Sequence, residues 1–175
     1  MKKILGLIGA GIIFFSGCAS KNEVNHQVCQ IDGTNAPSWI CNGGEIKGMI
    51  TGVGSAKPTP LGFSFQRTEA IAAARDNIAR EISIRVKNVF KRFEESNGVG
   101  KNTLNERVIQ NVSKQLSNEI LRNSKLLKLW KSPNGTIYVL VGMPKEEIVN
   151  NLKTEIKANK EWKNLDKEID KEFNY

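Results

Sequence analysis

The chain of 175 residues carries 26 Lys and Arg against 18 Asp and Glu, a formal net charge of +8, with one His and three Cys. That length suits one domain of ordinary size. With a single imidazole, and acidic residues that mostly sit beside Lys or Arg, no nucleophile, base and orienter can be assembled from the sequence, so catalysis is not expected.

Met1-Lys2-Lys3 is a short basic start, and Ile4 to Phe15 follows without a polar side chain. A positive n-region before a short apolar run of about 7–15 residues is the layout of a secretory leader. The run is well below the roughly 20 apolar residues of a membrane-crossing helix. Ser16-Gly17-Cys18 then resembles the bacterial lipobox, with Phe15 where Leu is commoner. The resemblance implies cleavage between Gly17 and Cys18 and acylation of Cys18, as S-diacylglycerol on its sulfur and N-palmitoyl on its new amino group. One acyl chain anchors only marginally, whereas several on one residue hold a protein at a membrane. Ala19, rather than Asp, follows the cysteine, which in such lipoproteins implies the outer membrane. The expected division is a leader over 1–17, a lipidated tether over 18–35, a folded domain over 36–158 and a charged helical tail over 159–175.

Loss of Lys2 and Lys3 with the leader lowers the charge to about +6. Excess Lys and Arg often mark nucleic-acid binding, but an exported chain is not expected to meet nucleic acid. A basic surface there faces anionic lipid or a partner's acidic patch, or is simply solvated. Cys29 and Cys41 are candidates for a disulfide in an oxidising compartment, worth roughly 3 kcal/mol for a loop of this size on the chain-entropy account. His26 with these two cysteines fits no zinc-site spacing, so neither metal nor cofactor is expected.

Ala36-Pro37-Ser38-Trp39-Ile40 is read as the start of the fold, with Trp39 plugging the end of a core. Met49 to Ala56 is β-branched and punctuated by Gly52 and Gly54, a strand that another backbone approaches closely. Gly52-Val53-Gly54 is no dinucleotide loop: a third glycine is missing, and Pro58 and Pro60 interrupt the exit. From Ser64 to Phe93, Ile71, Ala74, Ile78, Ile82, Val86, Val89 and Phe93 recur at steps of three or four, the stripe of one helix about 45 Å long. Such a helix outruns a small sheet, so part of it is expected to project or meet another chain. Arg75 and Arg85 flank the stripe. They are read as laying their stems on the sheet, in preference to binding a ligand anion, and Glu81 stands one turn before Arg85.

Asn97-Gly98 marks a turn, and Thr103 with Glu106 makes a capping box. That box opens a second helix carrying Leu104, Val108, Val112, Leu116 and Ile120. Leu126–Trp130 and Ile137–Val141 flank Pro133-Asn134-Gly135 and read as a β-hairpin. Pro144 suits the first turn of a third helix, followed by Glu146 and Glu147. Ile148, Val149, Leu152 and Ile156 form its first stripe. Trp162, Leu165, Ile169 and Phe173 form a second, about 120° around, so the helix breaks near Asn159-Lys160 or faces two partners.

In order this is an α+β chain, β-α-α-β-β-α, with a small antiparallel sheet packed on a long helix. The lipobox, Ala36–Ile40, the Gly52/Gly54 strand, Thr68-Glu69-Ala70 through Ala72-Ala73-Ala74-Arg75 and Ile78-Ala79, and Tyr138–Met143 together resemble the Lpp-twenty family of outer-membrane lipoproteins of Helicobacter and Campylobacter relatives. The resemblance implies a dodecin-like core. It also implies a non-enzymatic role in surface or envelope interactions and assembly, with self-association or envelope proteins as partners. Two alternatives are an accessory of the flagellar outer-membrane basal disk and a small-ligand binder. Neither the Cys29/Cys41 pair nor the chain after Ile156 is matched to the family.

Overall fold

The computed structural model describes residues 28–97, 103–157 and 165–173. Gly17, Cys18, His26, the turn after Asn97, the side chains of Thr103 and Leu104, the Asn159-Lys160 break and Trp162 lie outside them. The described chain is α+β. Its elements are β1 (Gln30–Ile31), β2 (Thr34–Asn35), α1 (Ser38–Cys41), β3 (Met49–Ala56), α2 (Phe63–Asn97), α3 (Thr103–Asn123), β4 (Lys125–Lys131), β5 (Ile137–Pro144), α4 (Lys145–Lys157) and α5 (Leu165–Phe173).

The main sheet has the order β3-β5-β4, antiparallel throughout. Met49 pairs with Pro144 and Ala56 with Ile137 across β3 and β5, while Lys125 to Lys131 pairs with Gly142 to Ile137 across β4 and β5. Leu127 is the extra residue of a bulge in β4. Pro144 ends the central strand, and α4 opens one residue later at Lys145, whose amide donates to Gly48 O at 2.9 Å. A proline closes a strand as readily as it opens a helix because it has no N–H to donate.

Alternation along β3 and β5 turns Ile50, Gly52 and Gly54, with Ile137, Val139, Val141 and Met143, toward α2. The helix answers with Ala70, Ala74 and Ile78. Gly52 and Gly54 have no side chain to hold it off, so the Ala70 and Ala74 backbone lies directly on the strand. At 35 residues, α2 spans about 52 Å, more than the sheet covers. Its distal stripe, Ile82, Val86, Val89, Phe90 and Phe93, is buried nonetheless, because α3 and α5 pack against the helix beyond the sheet. The expectation that this length projects or seeks another chain is corrected: the domain covers it internally. Leu165, Ile169 and Phe173 of α5 are fully buried in the same core as the sheet and α2. The described part of the segment read as a separate tail is therefore built into the domain.

Residues 28–35, read from sequence as part of a tether, are folded. Asp32 and Gly33 have φ of 51° and 70° and turn β1 back on β2. Two central residues of positive φ are what a two-residue hairpin needs, and Asp-Gly supplies them.

Candidate functional site

Cys29 and Cys41 are joined by a disulfide, with Cα atoms 5.7 Å apart. The bond ties the β1–β2 hairpin to α1, and the Ala36 amide donates to Cys29 O at 2.8 Å across the same loop. Gly44 then passes against the Leu140 side chain on the sheet face opposite α2. Thr51 Oγ1 donates to Gly44 O at 3.0 Å, and Asn42 Oδ1 accepts from the Gly44 amide at 3.2 Å. Leu140 and Trp39 are buried on that side. The N-terminal lobe thus caps the outer face of the sheet. Both sulfurs are committed to each other, so no thiolate of this pair is left to act as a nucleophile or metal ligand. Among the described residues no group of three or more His, Cys, Asp and Glu converges on a metal position.

The two arginines beside the helical stripe direct their guanidinium heads to groups of the protein itself. Arg75 Nε donates to Ser124 Oγ at 3.0 Å and Nη2 to Ser124 O at 3.3 Å, holding the α3–β4 junction against α2. Arg85 Nε and Nη2 donate to Glu81 Oε1 at 2.9 and 2.7 Å. Its Nη1 donates to Glu172 O at 3.0 Å, and its guanidinium stands 5.7 Å from the Phe173 ring centroid. A helix leaves its last carbonyls without partners, and Arg85 supplies one from a neighbouring element.

About two turns farther along α2, Arg92 pairs with Glu168 at 3.3 Å and with Glu172, while Lys171 Nζ lies 2.7 Å from Glu168 Oε1. The hydrogen bond from Lys171, helped by the charges of Lys171 and Arg92, outweighs burial and holds the Glu168 carboxyl below its usual range. Hydrogen bonding to Glu172 is the main cause that raises Arg92 above its own. Lys153 and Asp170, 2.6 Å apart, tie α4 to α5. These charges fasten α5. They belong to the fold's closure.

A cleft of 630 Å3 lies between the 42–51 segment and α2, lined by Asn42, Lys47, Thr51, Glu81, Arg85 and Lys145 among others. Its Arg85 is already spent on Glu81 and α5. At the opposite end of β3, Gln66 is buried and its Nε2 donates to Ala56 O at 3.0 Å and Gly135 O at 2.9 Å. One amide thereby pins the loop after β3 and the β4–β5 turn to the start of α2. The sequence reading missed Gln66. A polar residue at helical spacing four before Ala70 was its only signal.

The LPP20 lipoprotein family matches residues 37–143. The chain belongs to that family. No curated protein matches it. The family segment runs from just before α1 to the last residues of β5, and so contains Cys41 but not Cys29, and α2 but neither α4 nor α5. Both the disulfide and the α5 clamp therefore join family residues to residues outside the matched span. No helix among the described residues is long and apolar enough to cross a membrane, which fits a lipid-anchored, membrane-associated member of a lipoprotein family.

Proposed function

We propose that the chain is an outer-membrane lipoprotein, cleaved between Gly17 and Cys18 and acylated on Cys18. On this reading its domain serves envelope contacts and assembly and catalyses nothing. Membership of a lipoprotein family carries the reading, and the Ser16-Gly17-Cys18 sequence supplies the attachment residue that such a protein needs. Several acyl chains on one residue give lasting anchorage without a spanning helix.

The structure narrows which surfaces are left for neighbours. The excess length of α2 and the stripe of α5 are consumed inside the domain. Edge pairing through β4 is opposed by Lys125, Lys128 and Lys131 and by the bulge at Leu127, devices that keep an edge strand from templating another. On the β4 side, contacts with neighbours therefore fall to side chains.

Cys18→Ala is expected to leave the leader uncleaved, abolish incorporation of labelled palmitate and remove the protein from the outer-membrane fraction of a density gradient. Unchanged labelling and fractionation of that variant would refute the acyl-anchor reading.

A further inference from the structure

Residues 57–67 and 128–138 meet at one end of the molecule. Gln66 bonds to both Ala56 O and Gly135 O, and Gly135 sits between Pro58 and the stem of Lys131. The Gly62 amide turns back onto Thr59 O at 3.1 Å, which carries Leu61 and Phe63 to the tip. Leu61 is 68% exposed and Phe63 51%. Phe65, in the same first turn of α2, is exposed as well. At this end of the sheet Trp130 and Tyr138 stand side by side, half-buried, with ring centroids 5.7 Å apart, and Leu129, exposed on the β4 edge, belongs to the other face.

The charge at this end has one sign. The two segments hold Lys57, Arg67, Lys128 and Lys131 and no Asp or Glu, and none of these four cations pairs with a carboxylate among the described residues. The first turn of α2 contains no acidic residue, so the positive end of its dipole is uncompensated there. The first acidic side chain along the helix is Glu69. Much of the protein's net positive charge is thus gathered around its most exposed Leu and Phe.

We infer that this end docks on an anionic lipid surface, with Leu61 and Phe63 entering the headgroup boundary and Lys57, Arg67, Lys128 and Lys131 seated over lipid phosphates. Apolar tips surrounded by cations and interfacial Trp and Tyr are the chemistry of a membrane-surface contact. An acidic protein patch would answer the cations but leave Leu61 and Phe63 in water. A second copy would set four cations against four. The inference rests on the acyl-anchor reading, which keeps the domain near lipid: the ten residues from Cys18 to Val28 reach at most about 36 Å.

The test uses the full acylated chain in vesicles, with an environment-sensitive fluorophore on Phe63→Cys and, as control, on Ile84→Cys, an exposed apolar position farther along α2. In phosphatidylglycerol-rich vesicles the label at 63 shifts to the blue and the label at 84 does not. High salt or phosphatidylcholine vesicles abolish the shift. Replacing Lys57, Arg67 or Lys131 singly by Gln lowers the ratio of docked to undocked protein about five-fold each. Protein that pellets with vesicles while position 63 stays water-like overturns the docking and leaves the anchor standing. Protein that stays in the supernatant overturns both. A shift that appears in phosphatidylcholine and grows with protein density overturns lipid docking in favour of a second copy.

Discussion

Gly54 and Glu168 show two ways in which one residue sets the packing around α2. A Cβ on Gly54 would collide with the Ala70 carbonyl and the Ala74 amide, both backbone atoms that cannot step aside. Gly54→Ala is therefore expected to destabilise the domain by about 1–3 kcal/mol in urea unfolding, the usual cost of overpacking. Glu168 acts through charge. Its carboxyl is held below the normal range by Lys171 and Arg92, so its stabilising contribution is fully present above the unfolded-state value of about 4.3. That contribution is lost as pH falls through the lower folded-state value. The melting temperature of the wild type is expected to drop over that acidic window, and Glu168→Gln to flatten this part of the profile while lowering stability at neutral pH. An unchanged profile in the variant would assign the acid sensitivity elsewhere.

At the scale of elements, α5 is a short helix that makes a long one possible. Nine residues bury Leu165, Ile169 and Phe173 against the part of α2 that the sheet does not reach, and Arg85 and Arg92 on α2 hold its C-terminal turn. Phe173 is fully buried, so Phe173→Ala is expected to cost about 3–5 kcal/mol and to raise amide exchange in α5 and the distal half of α2 before the sheet. The sequence contained both stripes and their 120° offset. It did not say whether the second one met α2 or another molecule, because periodicity reports that a face must be covered and not by what. The β1–β2 hairpin was legible and missed: Asp32-Gly33 is a strong turn signal, but the strands it joins have two residues each and show no alternation.

For the whole molecule, the disulfide lobe and the α2 core meet through the sheet, which one covers on each face. Leu140 faces the lobe and its neighbours Val139 and Val141 face α2. Cys29→Ser with Cys41→Ser removes roughly 3 kcal/mol of loop constraint, and the expected result is local. Exchange should quicken over residues 28–44 while the unfolding of α2 and β5 is little changed, because the main core contains neither cysteine. A uniform loss of protection would mean that the lobe is part of the cooperative unit.

The sequence by itself determined the α+β class, the β3 strand, the α2 and α3 stripes, the β4–β5 hairpin and the family, since each depends on a local period, a turn residue or a run of motifs. Tertiary structure decided what no period encodes. It sent Arg75 and Arg85 to Ser124 and Glu172, set Gln66 between two loops, turned the tail's stripe inward, and gathered Leu61, Phe63 and four cations at one end. These contacts join residues as far as 87 positions apart. Which partners meet across such distances depends on how the whole chain closes around one core, and a single stretch of sequence carries no record of that.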